Sequence, residues 1–128
     1  MLDKSAAVHA SARDVGRQLD ELAGALFLCA VAELEQLYSA RSAQDYDRLG
    51  TDLQATFEVL SAPSDLLTRA LSLQRDLAHH HGMWHRTPIP DLLIAETALH
   101  HDCGVVHVDG HFDRIAEVRP LVARRLTT

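Results

Sequence analysis

Residues Ala25-Leu-Phe-Leu-Cys-Ala-Val31 form an uninterrupted apolar run of strand length. A run without alternating polar residues is typical of a strand buried on both faces, as in a parallel sheet that helices cover. A second run, Gly104-Val-Val-His-Val108, ends at Asp109, and Phe57–Leu60 is a weaker third. Met1-Leu2 can supply the stub of a fourth strand. These runs predict the strands of a single central sheet.

The segments between these runs have helical spacing instead. Apolar residues recur three and four positions apart in segments near 15–22, 31–39, 43–55, 64–80 and 88–103, and a last helix is expected over about 111–118. The helix over 64–80 is expected to start at Ser64 as its N-cap and to bury Leu67, Leu71 and Leu77. Strands that alternate with helices predict an α/β fold, a three-layer α/β/α domain with a mostly parallel sheet.

Length and charge limit the classes of protein to consider. A chain of 128 residues with 6 Gly and 4 Pro predicts one compact domain over residues 1–128. The net charge of −6 excludes nucleic-acid binding by bulk positive charge, so any such contact has to be local. No apolar run approaches the roughly 20 residues that span a bilayer, and the start lacks a signal peptide. Cys29 and Cys103 are expected to be buried thiols, which fits a soluble cytoplasmic protein without a membrane partner.

Four acidic residues fall where an open parallel sheet collects its ligands, beyond the carboxyl ends of strands. Asp3 follows the N-terminal apolar pair, Asp109 ends the Val105–Val108 run, and Glu35 lies one helical turn after the first run. Asp91 lies in the first turn of the predicted helix over 88–103, where helix capping is the favoured explanation of a carboxylate taken alone. Carboxylates gathered in one cleft repel one another, and a hard cation, Mg²⁺ or Mn²⁺, compensates them. Such a site would hydrolyse phosphodiesters.

Four stretches in a fixed order span nearly the whole chain: Leu2-Asp-Lys-Ser-Ala6, Cys29-Ala-Val-Ala-Glu-Leu-Glu-Gln-Leu-Tyr-Ser-Ala-Arg41, Pro88-Ile-Pro-Asp-Leu-Leu-Ile-Ala-Glu-Thr-Ala98 and Val108-Asp-Gly-His-Phe-Asp-Arg-Ile-Ala116. Together they resemble the blocks of a PIN domain, and specifically of the VapC-type ribonuclease toxins of bacterial toxin–antitoxin pairs. The resemblance implies a PIN-like fold, RNA cleavage that depends on Mg²⁺ or Mn²⁺, and tight pairing with a cognate antitoxin. It also implies a homodimer.

The resemblance implies a catalytic and metal-binding set made of Asp3, Glu35, Asp91 and Asp109. Glu33 is the alternate to Glu35, since the two flank Leu34. The chain departs from the family pattern at two places. Many relatives have a second acid where this chain has His111, and the next acid is Asp113. Glu96 stands where alanine is common, about 140° around the helix from Asp91.

The segment before Asp91 is a candidate RNA contact. Arg86 is the candidate substrate-binding residue, as a clamp for an RNA phosphate, and Trp84 and His85 can stack on a base. A tryptophan that covers the edge of the core and a solvated arginine are the alternative. The cluster His79-His80-His81 is expected to be solvated, because three consecutive residues of a helix point in different directions.

A histidine in the last apolar run and the outer leucines of the predicted helices also have a structural interpretation. His107, inside the last apolar run, is expected to be a satisfied core residue. Outer apolar residues of the predicted helices, such as Leu66 and Leu73, are candidates for a homodimer face or an antitoxin groove, with core packing as the alternative.

The favoured interpretation is therefore a magnesium-dependent endoribonuclease, the toxin of a toxin–antitoxin pair. An alternative is a non-catalytic PIN-like interaction module that sequesters a protein partner or RNA. A third is a PIN-like nuclease that acts on structured DNA. Metal binding separates the first two interpretations, and a comparison of RNA with DNA substrates tests the third.

Overall fold

A computed structural model describes Met1, residues 26–108 and residues 110–126 of the chain. The elements in order are β1 (Phe27–Cys29), α1 (Ala30–Tyr38), α2 (Ala43–Thr56), β2 (Glu58–Leu60), α3 (Leu66–His79), a 3-10 helix (Met83–Arg86), α4 (Ile89–His100), β3 (Val105–His107), α5 (His111–Ala116) and β4 (Ala123–Arg125). The helix expected near residues 15–22 lies outside the described residues. None of the helices in the described part is long and apolar enough to cross a membrane.

All strand pairing between the described strands is parallel, as the apolar runs predicted. β1 pairs with β2, and β3 pairs with β4. The backbone of Met1 lies along the other edge of β3: its amine donates to the Gly104 carbonyl at 2.9 Å, and the Val106 N–H donates to the Met1 carbonyl at 2.7 Å. This pair of bonds is the pattern of a parallel bridge. β3 therefore has hydrogen-bonded neighbours on both edges.

The helix α4 lies at the centre of the helical packing. It contacts α1, α3 and α5, and its buried residues surround the axis: Asp91, Leu92, Ile94, Ala95, Glu96, Thr97 and Ala98. A helix that is buried on nearly all sides belongs to the core rather than to the surface. The polar side chains of Asp91, Glu96 and Thr97 are thus held in a fixed, largely dry environment.

Two strand predictions need correction. The strand near residue 27 is shorter than the apolar run, because Cys29 caps α1: its Sγ accepts a hydrogen bond from the Ala32 N–H, and Ala30 is already helical. The strand β4 was not predicted at all. Its residues include Arg124 and Arg125, which do not belong to an apolar run.

The predicted buried face of α3 was right for Leu77, which is fully buried, and wrong for Leu67 and Leu71. Leu67 and Leu71 are 75% and 61% exposed, whereas Leu73, predicted as an outer residue, is fully buried. Leucines occur on two overlapping helical stripes of this segment, and the stripe of Ala70, Leu73 and Leu77 is the one that packs inward. The N-cap is Asp65 rather than Ser64.

Gly104 marks a close approach between two backbones. A Cβ atom at this position would lie 2.6 Å from the Val122 carbonyl oxygen and 3.3 Å from the Val122 Cβ. The Gly104→Ala variant has to push β3 and the start of β4 apart, and we expect it to lower the free energy of unfolding by about 1 to 3 kcal/mol in urea titrations.

Gly50 provides the matched control, because it lies inside α2 and a Cβ there would meet only the Leu37 Cδ2 at 3.7 Å. Gly50→Ala should raise the free energy of unfolding by about 0.5 to 1 kcal/mol through helix propensity. Equal urea midpoints for the two variants would contradict the crowding at Gly104.

Candidate active site

Asp91 is a buried carboxylate at the start of α4. The residue is 5% exposed, and its Oδ2 lies 2.8 Å from the Nδ1 of His111. Pro88 is the N-cap of α4 and has no N–H, so Asp91 cannot form a reciprocal capping box with it. Pro90 likewise offers no N–H in this first turn. Reciprocal capping therefore does not explain why a carboxylate lies here, which leaves its attraction to the helix N-terminus and the contacts of its side chain.

Glu35 lies on α1, which begins immediately after β1 and packs against α4. Its Oε1 atom is buried. The preceding Leu34 is 64% exposed, and Glu33 belongs to the first turn of α1. Both glutamates that flank Leu34 are half-buried, and the Oε1 atom of Glu35 is fully enclosed by the protein.

Asp3 and Asp109 lie outside the described residues. Within Met1, residues 26–108 and residues 110–126, no three His, Cys, Asp or Glu side chains come close enough to hold a metal ion. The structure brings Asp91 together with His111, and it carries Glu35 on the neighbouring helix. All four acids, Asp3, Glu35, Asp91 and Asp109, remain predictions as members of a catalytic and metal-binding site.

His111 is the site residue to which the sequence assigned no role. It is the first residue of α5 and lies four positions after the end of β3. The signal that singles it out is its place, where the family pattern has an acid. Periodicity gives no hint of its contact with Asp91, because the two residues are 20 positions apart.

The segment with the candidate RNA contacts forms the 3-10 helix before α4. Trp84 is 39% exposed, and the centroid of its ring lies 3.9 Å from the centroid of the His85 ring. Met83, not Trp84, is the residue of this segment that is buried in the core. The carbonyl of Arg86 accepts a hydrogen bond from the Arg114 Nη1 at 2.7 Å, which ties the segment to α5.

Glu96 is a second buried acid on α4, and its interactions are structural. The Nε of Arg119 lies 3.4 Å from its Oε1, and the Nη1 of Arg119 binds Asp76 Oδ2 at 2.6 Å. Arg119 thereby links α4 to α3 through two carboxylates. Glu96 is thus engaged away from the His111 contact of Asp91.

The other singled-out residues follow the expectations in part. His107 is fully buried, with its Nε2 3.6 Å from Asp113 Oδ1. Burial raises the pKa of the Cys29 thiol, which favours the neutral form. Cys103 is only partly buried, so the expectation of two buried thiols was wrong for this one; both cysteines are free, as predicted.

Comparisons with known proteins point to the same family that the sequence resembles. The family model for the PIN domain matches residues 1–118. Ribonuclease VapC17 of Mycobacterium tuberculosis is 57% identical over 123 residues, which cover 94% of this chain and 89% of that protein. Ribonuclease VapC21 of the same organism is 38% identical over 120 residues, which cover 92% and 86%.

Among solved structures, VapBC2 from Rickettsia felis bound to a DNA fragment from its promoter gives a TM-score of 0.77 at 16% identity and covers 99% of this chain and 98% of that one. VapBC-1 from nontypeable Haemophilus influenzae gives 0.73 at 17% identity, with 98% and 96% covered. At these identities the likeness concerns the fold.

Proposed function

The chain belongs to the PIN-domain family, in its VapC group of ribonucleases, and we propose that it is the endoribonuclease toxin of a toxin–antitoxin pair. This membership agrees with the three-layer α/β/α fold and the family resemblance predicted from sequence. The observation that carries the activity is the 57% identity with a ribonuclease across 94% of the chain. The buried carboxylate of Asp91 supports the location of the site.

The residues present fit a hard divalent cation. Asp91 and Glu35 place carboxylate oxygens in the interior of the protein from two helices that pack together. Carboxylate oxygens are the donors that Mg²⁺ and Mn²⁺ prefer, and a buried cluster of them needs a cation for compensation. We assign metal binding and catalysis to Asp3, Glu35, Asp91 and Asp109. When bound, the cation lowers the pKa of water and neutralises charge that develops on the phosphate.

The protein holds the Asp91 carboxylate in place and keeps bulk water away from it. Asp91 cannot swing into bulk water, because α4 is buried and His111 holds its Oδ2. Exclusion of water strengthens the attraction between these carboxylates and a cation. For the RNA itself, Arg86 is our candidate phosphate clamp and the exposed Trp84–His85 pair our candidate base-stacking surface. With a net charge of −6, the chain needs such local contacts.

The partner we propose is a cognate antitoxin. A solved structure with the same fold is a toxin-antitoxin complex from Klebsiella pneumoniae, and VapBC2, which also shares the fold, was solved bound to a DNA fragment from its promoter. A short reading frame for a DNA-binding antitoxin is therefore expected beside the gene for this chain. RNA as substrate implies action in the cytoplasm, and a homodimer is the assembly that the family suggests. Leu67 and Leu71 replace Leu73 as the outward apolar residues of α3 that such a contact can use.

The test is cleavage of RNA by the purified full chain with and without metal. We expect cleavage in Mg²⁺ or Mn²⁺, complete loss in excess EDTA and recovery when Mn²⁺ is added back. DNA oligonucleotides of the same sequence, single-stranded and double-stranded, are the control and should remain intact. Cleavage that persists in EDTA contradicts the metal site, and preferential DNA cleavage contradicts the substrate. If no RNA is cut and calorimetry detects no Mn²⁺ binding, the non-catalytic interaction module is the better interpretation.

A further inference from the structure

The contact between His111 and Asp91 joins two elements that both border the site. His111 begins α5, and Asp91 lies in the first turn of α4. Their side chains meet at 2.8 Å, an ordinary distance for an N–H···O hydrogen bond, and they are 32% and 8% exposed. A carboxylate only accepts hydrogen bonds, so the Nδ1 of His111 carries a hydrogen atom in this contact. It donates a hydrogen bond to Oδ2.

This bond restricts the orientation of the Asp91 carboxylate. A carboxylate turns readily about its Cβ–Cγ bond, because that torsion has broad energy wells. A donor fixed on Oδ2 selects one orientation and thereby sets the direction of the lone pairs of both oxygens. Donors of this kind behind a metal-binding side chain raise metal affinity by orienting the ligand before the ion arrives.

His111 itself is held in place by its surroundings. Phe112 and Ile115, on the same short helix, are fully buried in the core. Arg114 binds the carbonyl of Arg86, which fixes α5 to the segment in front of α4. The imidazole is therefore presented to Asp91 from a rigid element, as a positioning contact requires.

We propose that His111 is a positioning residue, which orients the Asp91 carboxylate for a divalent cation through its Nδ1–H. The proposal rests on the proposed function, since it takes Asp91 as a metal ligand. In this proposal the imidazole of His111 does not bind the cation itself but supports one of the carboxylates that do. Only the Nδ1–H of His111 takes part in this contact, so variants that replace Nδ1 or Nε2 separately can test the proposal.

The experiment measures Mn²⁺ binding by calorimetry on the full chain and on three variants of His111. His111→Ala should weaken Mn²⁺ binding by about 10- to 100-fold, the usual cost of losing such a contact. His111→Asn should restore most of the affinity, because the asparagine Nδ2–H occupies the place of the histidine Nδ1–H. His111→Gln should not, because its amide corresponds to Nε2. Thermal unfolding of each variant controls for the fold, and the Asn and Gln pair decides the matter if the alanine variant does not fold.

RNA cleavage provides a second readout. For a positioning role, His111→Ala should cleave slowly at low Mn²⁺ and approach the unsubstituted protein at saturating Mn²⁺. Unchanged Mn²⁺ affinity in His111→Ala, rescue by Gln instead of Asn, equal losses in all three folded variants, or slow cleavage at saturation each overturns the proposal. If the unsubstituted protein binds no Mn²⁺, the metal site of the proposed function fails as well, which distinguishes the two failures.

Discussion

The Asp91→Asn variant is expected to lose RNA cleavage by at least about 1000-fold, since a cation contributes several kcal/mol to the stability of the transition state and each 1.4 kcal/mol is tenfold in rate. The substitution keeps the shape of the side chain but removes one negative charge from a buried place. Its amide oxygen can still accept the hydrogen bond from His111, so the fold should persist. Mn²⁺ binding by calorimetry should fall in parallel with cleavage.

Asp52→Asn is the matched control for this change. Asp52 is exposed on α2, and its replacement alters the net charge of the chain by the same amount. Cleavage by this variant should equal that of the unsubstituted protein. Circular dichroism and the unfolding midpoint show whether each variant is folded. A folded Asp91→Asn protein that still cuts RNA at the normal rate removes Asp91 from the catalytic set.

The Arg119→Ala variant is expected to lose about 3 kcal/mol of unfolding free energy, the low end for breaking a buried ion pair, because Arg119 keeps some contact with solvent. The change leaves the carboxylate of Glu96, which is 6% exposed, without its cation. It also removes the bond from Arg119 to Asp76 and with it the link between α4 and α3. Urea titrations followed by circular dichroism measure the loss.

Two companion variants test that explanation. Arg48→Ala breaks an exposed ion pair with Asp45 on α2 and should cost about 0 to 1 kcal/mol. The double variant Arg119→Ala, Glu96→Gln should recover part of the loss, because it no longer buries an unpaired charge. If Arg119→Ala costs no more than Arg48→Ala, the buried pair does not stabilise the packing of α4.

Uninterrupted apolar runs were enough to predict three of the four described strands, which form two parallel pairs. β1 and β3 lie inside the apolar runs near residues 27 and 105, since a strand buried on both faces has few polar residues. β2 lies inside the weaker run near residue 58, although Glu58 and Val59 are exposed. β4 escaped prediction because its arginines face away from the core at the end of the sheet. The inward face of α3 was wrong because leucines mark two stripes, and only contact with α4 selects one of them.

The candidate site likewise includes residues that the sequence singled out and contacts that it did not. Asp91 and Glu35, which stay predictions as site residues, were singled out by their places after strands and at a helix start, together with the family resemblance. The bond from His111 to Asp91 was not, because no local pattern links residues on two different helices. Glu96 was noted as a departure from the family, but its partner Arg119 lies 23 positions away. Pairings that depend on helix packing cannot be deduced from spacing alone.

The short strand β4 also bears on how copies of the chain behave in crowded solution. It hydrogen-bonds to β3 along one side, and in the described part of the molecule no strand pairs with its other side. An open strand side is a template for unwanted stacking of one molecule on another. Here the strand is only three residues long and ends in Arg124 and Arg125, whose like charges repel the same strand of a second molecule. Shortness and charge are both features by which edge strands resist pairing with another chain, so we expect β4 to resist it as well.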